Sequence, residues 1–269
     1  MNPHPHATAE SLLSFWADAG VDAMLLDKAV DRIALGRGAP TRPPERKPVL
    51  VPQRAATAEP DISAALAEAK RAAAAAGNLS DLAAAISAFD GCGLKFAGAA
   101  QRAVFSRGAS NAPLMVIGEG PGQEEDQRGE PFVGRAGQLL DKMLTAAGLT
   151  GRVFITNSVF WRPPGNRNPT AQEQQVCAPF VERAIQLVAP KMLLLVGGAS
   201  AKAMLKREEG ILALRGRWFE WRSEDEALEL PALATLHPAF LLRQPAAKKK
   251  AWSDLLTLTE RLDRAGREV

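Results

Sequence analysis

The segment 118–137 (GEGPGQEEDQRGEPFVGRAG) holds residues suited to binding a small planar or anionic ligand. It contains six glycines, five acidic residues and one aromatic residue, Phe132. Glycines allow backbone N–H groups to approach a ligand closely, because they carry no side chain. An apolar run of strand length, 114–117 (LMVI), precedes the segment. The sequence therefore predicts a binding loop at the carboxyl end of a strand, where open parallel sheets bind their ligands.

Two further polar residues follow apolar runs. Asn157 ends the run VFITN, and a basic, proline-rich loop at 161–169 (WRPPGNRNP) comes after it. His237 follows the run ALATL, and the two other histidines lie near the N-terminus in a segment predicted to be disordered. The pattern therefore places an amide and an imidazole at the carboxyl edges of two more strands.

A dinucleotide site is an alternative for the glycine-rich loop, since Gly118, Gly120 and Gly122 are two residues apart. The fit is poor. Pro121 and the acidic run 124–126 would repel a pyrophosphate, which such loops bind at a helix N-terminus. A solvated acidic loop with glycines at its turns remains the simpler alternative for this segment taken alone.

Alternating strand and helix patterns must position these residues. Such an alternation predicts a three-layer α/β/α sandwich around a central, mostly parallel four-stranded sheet. Glu119, Asn157 and His237 would then meet on one side of the sheet. The predicted strands are 114–117, 153–156, 191–196 and 232–236, and the predicted helices are 62–76, 79–89, 135–147, 170–188, 199–206 and 247–264.

Composition and length predict one catalytic domain with an N-terminal extension. The chain has 269 residues, of which 46% are hydrophobic, and a net charge of +3. We expect a helical arm at 1–35, a flexible proline-rich linker at 36–60 and a catalytic domain at 61–269. No apolar run reaches the roughly 18 residues of a membrane span, and the N-terminus has no signal-peptide pattern. We therefore expect a cytoplasmic protein with no membrane contact.

Five motifs together resemble the family 4 uracil-DNA glycosylases. They follow the family's order from about Cys92 onward, as GEGPG at 118–122, PFVG at 131–134, TN at 156–157, RPPGNR at 162–167 and HPAFLLR at 237–243. The resemblance implies a DNA-repair enzyme that flips uracil out of single- or double-stranded DNA and hydrolyses the N-glycosidic bond. It would release free uracil, leave an abasic site and have no lyase activity. We also expect a monomer, although no motif in the sequence specifies the oligomeric state.

The resemblance also implies roles for the polar residues. Asn157 would pair with uracil O4 and N3–H, because a carboxamide offers both a donor and an acceptor. Phe132 would stack on the flipped base, and Gly120 would lie beside it. His237 would donate a hydrogen bond to O2, where negative charge develops. The ordinary alternatives are a core phenylalanine, an asparagine in a turn and a structural histidine.

Glu119 and Glu125 are the carboxylates that could orient water or stabilise a cationic sugar. In the best-known uracil-DNA glycosylases an aspartate positions the water, whereas Gly120 stands at that place here. By the motif Glu119 would lie at the base of the pocket, and Glu125 could reach the sugar. Gly122 stands where those enzymes use a tyrosine to exclude the methyl group of thymine, so Phe132 and backbone atoms would have to exclude it here.

Basic residues cluster where the resemblance would place DNA. Arg162 and Arg167 lie in the proline-rich loop, Arg243 follows the His-Pro turn, and three lysines occupy 248–250. Such residues bind phosphates, so the affinity for DNA would fall with salt. Leu241 and Leu242 would be the wedge that fills the space left by the flipped base.

The chain departs from the family in its cysteines. Family 4 enzymes are similar to one another in having four cysteines for an iron–sulfur cluster, and only Cys92 and Cys177 match here. Phe89 and Trp161 replace the other two. Two thiolates cannot complete a four-ligand cluster. We therefore predict that the chain uses neither a cluster nor another metal and that both thiols are free and buried.

Two other functions stay open. One is a protein that captures uracil-containing or abasic DNA with little turnover. The other is an unrelated enzyme on a similar sheet that binds nucleotides or hydrolyses free nucleosides. It would leave the segment 241–243 without a role in DNA binding.

Overall fold

The central sheet has six strands, where four were predicted. The computed structural model describes residues 62–265, and in this range the strands are β1 (Ser106–Gly108), β2 (Leu114–Gly118), β3 (Val153–Asn157), β4 (Met192–Val196), β5 (Trp218–Arg222) and β6 (Glu229–Thr235). Their order is β1-β3-β2-β4-β6-β5. The four predicted strands form the parallel centre, and β1 and β5 add antiparallel edges. The prediction missed β1 because its three residues show no apolar alternation.

Helices cover both faces of the sheet. They are α1 (Ser63–Ala75), α2 (Leu79–Ala88), α3 (Gln123–Arg128), α4 (Arg135–Ala146), α5 (Ala171–Val188), α6 (Gly198–Leu205), α7 (Ile211–Leu214), α8 (Pro238–Arg243) and α9 (Lys248–Ala265). All six predicted helices are confirmed to within two residues at each end. The short helices α3, α7 and α8 were not predicted as helices. The predicted arm and linker lie outside the described residues.

Alternate residues of the central strands pack on opposite faces of the sheet. In β2, Leu114 and Val116 join a buried cluster with α4 and α9, whereas Met115 and Ile117 join one with α1, α2 and α5. This follows from the two-residue period of a strand. Both faces are therefore covered, which explains why the central strands are mainly apolar and confirms the three-layer α/β/α architecture.

The register brings the carboxyl ends of the parallel strands to one edge. Gly118 at the end of β2 pairs with Asn157 at the end of β3, and Val196 pairs with Thr235. The loops that leave this edge carry the residues singled out from the sequence. Within residues 62–265, no helix is both long and apolar enough to cross a lipid bilayer.

Candidate active site

A cavity of about 490 Å³ opens at this edge of the sheet. It brings together eight of the eleven predicted site residues, which come from loops separated by more than 100 positions in sequence. The eight are Glu119, Gly120, Glu125, Phe132, Asn157, Arg167, His237 and Arg243. Arg162, Leu241 and Leu242 do not line it.

The side chain of Asn157 is buried, and its Oδ1 atom has no hydrogen-bond partner among the described residues. A buried acceptor without a partner is costly, so it marks a place where a ligand donor is expected. Gly118 makes this position possible. A Cβ atom on Gly118 would collide with Asn157 Oδ1 and with the ring of Phe132. The absence of a side chain at Gly118 therefore lets Asn157 and the ring of Phe132 pack against the end of β2.

Phe132 is held in an unusual backbone conformation, with φ of 56°. A non-glycine residue in this region costs of the order of 1–3 kcal/mol, so its surroundings must hold it there. The side chain of Arg107 donates hydrogen bonds to the carbonyl oxygens of Pro131 and Phe132. Gly137 in α4 lets the carbonyl group of Phe132 approach the helix closely, because a Cβ atom at position 137 would overlap the carbonyl oxygen of Phe132. Arg107 and Gly137 thus support the position of Phe132, a role that no pattern in the sequence indicated.

His237 is the N-cap of α8, and its Nδ1 atom accepts a hydrogen bond from the backbone N–H of Ala239 at 3.2 Å. Nδ1 therefore carries no proton, and a neutral ring holds its proton on Nε2. Burial, reinforced by the nearby positive charge of Arg243 and opposed by Glu125, lowers the pKa of His237 to about 4. The imidazole is neutral at pH 7. Its ring centroid lies 5.8 Å from that of Phe132.

The two carboxylates of the loop have different surroundings. Glu125 accepts hydrogen bonds from the backbone N–H groups of Gly122, Val133 and Gly134, at 3.1, 3.0 and 2.8 Å. It therefore ties the two halves of the loop together. The carboxylate of Glu119 has no hydrogen bond or ion pair within residues 62–265, and burial raises its pKa. Glu119 is thus the carboxylate with free oxygens in the cavity.

The three arginines differ in how far they are already paired. Arg167 forms a two-pronged ion pair with Glu173, at 2.8 and 2.6 Å, and this pair lowers the pKa of Glu173. Arg162 donates from Nε to Asn166 Oδ1 at 2.8 Å. Arg243 lines the cavity and pairs with no carboxylate in the described part of the chain. Arg243 is therefore the arginine most available to a phosphate.

The two leucines of α8 point in different directions. Leu241 is fully buried and packs with Leu236 and Ala251, whereas Leu242 is 39% exposed. Adjacent positions on a helix do not share a face. The prediction that both leucines form a wedge therefore needs correcting, because Leu241 belongs to the core and only Leu242 is accessible.

The region of the two cysteines is filled by aromatic rings. The sulfur atoms of Cys92 and Cys177 lie 3.9 Å apart, and both residues are buried free thiols. The ring centroid of Phe89 lies 6.4 Å from that of Trp161 and 5.1 Å from that of Phe180. Across residues 62–265, nowhere do three or more His, Cys, Asp or Glu side chains converge as metal ligands. Two thiols beside apolar rings do not fit the four ligands of an iron–sulfur cluster.

Comparison with known proteins gives consistent matches. The family model of the uracil DNA glycosylase superfamily matches residues 105–256. The chain is 38% identical over 160 residues to a type-4 uracil-DNA glycosylase of Pyrobaculum aerophilum, an alignment that covers 58% of this chain and 81% of that protein. It is 36% identical over 164 residues to the type-4 enzyme of Sulfurisphaera tokodaii, covering 59% and 74%. For the type-4 enzyme of Thermotoga maritima the identity is 35% over 142 residues, covering 52% and 71%.

Proposed function

Because the chain belongs to the uracil-DNA glycosylase superfamily and is similar to its type-4 members over most of their length, we propose that it removes uracil from DNA. Water adds to C1′ of the deoxyribose while the bond from C1′ to uracil N1 breaks. The uracil anion leaves and takes up the proton that the water loses, and an abasic site remains in the DNA. The substrate is uracil-containing DNA, single- or double-stranded, and the protein acts as a monomer.

The unpartnered Oδ1 of Asn157 is the observation that carries this proposal. A uracil in the cavity would donate its N3–H to this oxygen and accept a hydrogen bond at O4 from the amide Nδ2. Cytosine presents the opposite pattern, with an acceptor at N3 and an amino group at C4, so both contacts would fail. Failed pairing of buried polar groups is what gives such a site its selectivity.

His237 stabilises the negative charge that grows on the leaving uracil. Its neutral ring would donate from Nε2 to O2, because Nδ1 is already occupied by the N–H of Ala239. A donor that is fixed before the reaction needs no reorganisation as the charge develops. Phe132 lies next to this ring and offers an aromatic surface to the flipped base.

Glu119 is the residue we assign to the water and to the cationic sugar. Glu125 has three backbone hydrogen bonds to maintain, whereas the oxygens of Glu119 are free. Burial raises the pKa of Glu119, which makes this carboxylate a better proton acceptor. Gly120 does not supply a base. Glu125 then serves mainly to hold the loop in shape.

We also propose that this enzyme works without an iron–sulfur cluster. The packing of Phe89, Trp161 and Phe180 supports this, because large aromatic side chains can hold two elements together by burial alone. No step of the reaction above involves a metal.

The test of function is a single-turnover incubation with a labelled oligonucleotide that carries one uracil, beside a thymine control. Strand cleavage that needs both uracil and later alkali treatment would establish uracil release. A parallel denaturing gel without alkali would reveal a trapped complex, and such a band without cleavage would favour the capturing protein instead. In the same assay Glu119→Gln should slow the chemical step more than Glu125→Gln at saturating enzyme. If Glu125→Gln slows the chemical step more than Glu119→Gln, Glu125 is the residue that orients the water.

A further inference from the structure

A second groove lies on the other side of α8 from the active site. It has a volume of about 310 Å³ and is lined by Leu139, Met143, Leu241, Lys248, Lys249 and Trp252. We call it the Trp252 groove. Apolar side chains form its walls, two lysines lie at its edge, and no acidic residue lines it.

Trp252 is exposed although most large apolar side chains of α9 are buried. Leu255, Leu258 and Leu262 pack into the core, whereas Trp252 is 38% and Leu256 49% exposed. Lys248, Trp252 and Leu256 are four residues apart, so they share one face of the helix. This face therefore presents an aromatic surface to solvent next to a cation. An exposed apolar patch with a polar rim indicates a binding surface.

Helix α8 places the groove beside the active site. Phe240 and Arg243 line the active-site cavity, the buried side chain of Leu241 forms the floor of the Trp252 groove, and Leu242 is exposed. The two sites therefore lie on different faces of one short helix, so a DNA strand bound in the cavity would pass close to the groove.

The charge of the groove favours a polyanion. Lys248 and Lys249 are exposed, and neither pairs with a carboxylate in the part of the chain that the structure describes. Free ammonium groups gain affinity for phosphates by releasing the counterions of the nucleic acid. The face of an exposed tryptophan stacks on any nucleobase. An acidic peptide could use the same cations, but the shared wall with the active site favours the DNA strand that must pass there.

We propose that the Trp252 groove binds a nucleotide that flanks the flipped uracil on one side. Its base stacks on Trp252, and its phosphates lie at Lys248 and Lys249. This assignment rests on the proposed function, because it treats uracil-containing DNA as the substrate. It adds a sequence-independent subsite that holds the strand beyond Leu242.

The experiment compares two single-stranded oligonucleotides, one with the uracil near its 5′ end and one with it near its 3′ end. Only one of them can place a long flank in the groove. For that oligonucleotide, Trp252→Ala should raise the enzyme concentration at half-maximal single-turnover rate by about 5- to 100-fold, while the rate at saturation stays unchanged. Trp252→Phe should restore most of the loss. For the other oligonucleotide, Trp252→Ala should behave as the wild type.

The lysines have their own measurement and a matched control. Replacing Lys248 and Lys249 by alanine should reduce the salt dependence of binding, with the slope of log K against log salt smaller by about 0.7 per lysine. Lys70→Ala is the control, because Lys70 lies on α1, in the opposite layer, and pairs with Glu224. It should leave the slope unchanged.

Equal effects of Trp252→Ala on both oligonucleotides would indicate a general defect and would overturn the subsite. If Trp252→Ala behaves as the wild type on both oligonucleotides, the subsite is also overturned, and a protein partner becomes the better candidate for the groove. In either case uracil release by the wild-type enzyme would still stand. Failure of the wild type to release uracil would instead refute the proposed function itself.

Discussion

The Nδ1 atom of His237 lies 3.2 Å from the backbone nitrogen of Ala239, two residues further along the chain. One hydrogen bond thus caps the start of α8 and fixes the tautomer of the only imidazole within residues 62–265. Because a backbone N–H can only donate, the remaining ring proton must be on Nε2. The fold therefore prepares a neutral donor before any substrate arrives.

Replacing His237 by alanine should slow uracil release by about 100- to 1,000-fold, the usual cost of losing one preorganised donor to a developing anion. The affinity for uracil-containing DNA should change little, because Phe132 and Asn157 remain. Single-turnover rates and equilibrium binding would be measured on the same oligonucleotide. Weaker binding with a normal rate would contradict this role.

Acid should destabilise the folded enzyme through His237. Its pKa is about 4 in the folded protein and 6.5 as the ordinary value, so the unfolded chain takes up this proton first. The wild type should lose free energy of unfolding as the pH falls from about 6.5 to about 4, by roughly 3 kcal/mol in total. His237→Ala should escape this part of the loss. Urea unfolding at pH 7 and pH 4.5 would compare the two proteins, and equal losses would refute the low pKa.

Asn157→Asp should relax the discrimination against cytosine. A carboxylate accepts hydrogen bonds but has no amide donor, so it loses the contact with uracil O4 and gains one with the amino group of cytosine. The measurement is the ratio of kcat/KM for uracil and cytosine in matched oligonucleotides. Asn157→Ala serves as the control, since it should lower activity without favouring cytosine. An unchanged ratio for Asn157→Asp would remove this residue from base recognition.

Leu241 and Leu242 form a matched pair of tests. Leu241→Ala removes a fully buried side chain and should lower the free energy of unfolding by about 2–5 kcal/mol. Leu242→Ala should leave stability within about 0.5 kcal/mol of the wild type, but should reduce activity on duplex DNA if its side chain fills the space of the flipped base. Thermal melts and rates on duplex substrate distinguish the two, and a duplex rate equal to wild type would exclude the wedge.

The aromatic cluster should matter more to stability than the cysteines. Phe89→Ala should cost about 3–5 kcal/mol, because it leaves a large cavity among buried rings. The double variant Cys92→Ala, Cys177→Ala should cost less and keep its activity. The purified wild type should contain no iron and show no absorbance near 400 nm. Stoichiometric iron would contradict the proposal that no cluster is used.

Local patterns in the sequence were enough for the parallel centre of the sheet and its large helices. The strand 192–196 is a continuous apolar run, 153–157 begins with three apolar residues, and the helix between them has a long amphipathic period, so local chemistry specifies each element. The position of Asn157 and His237 at strand ends also predicted that they would meet, since parallel strands share one carboxyl edge. The family followed from five short motifs in their order.

Only the tertiary structure decided how the individual side chains are used. Glu119 and Glu125 are both acidic residues of one loop. Three backbone N–H groups bind the carboxylate of Glu125, whereas the carboxylate of Glu119 stays free to contact a ligand. Leu241 and Leu242 are identical neighbours, and the packing of α8 against Leu236 and Ala251 buries just one of them. These distinctions depend on contacts between residues that are far apart in the chain. Sequence periodicity predicts which helices and strands form, whereas burial and hydrogen bonding across the fold determine what each side chain can contact.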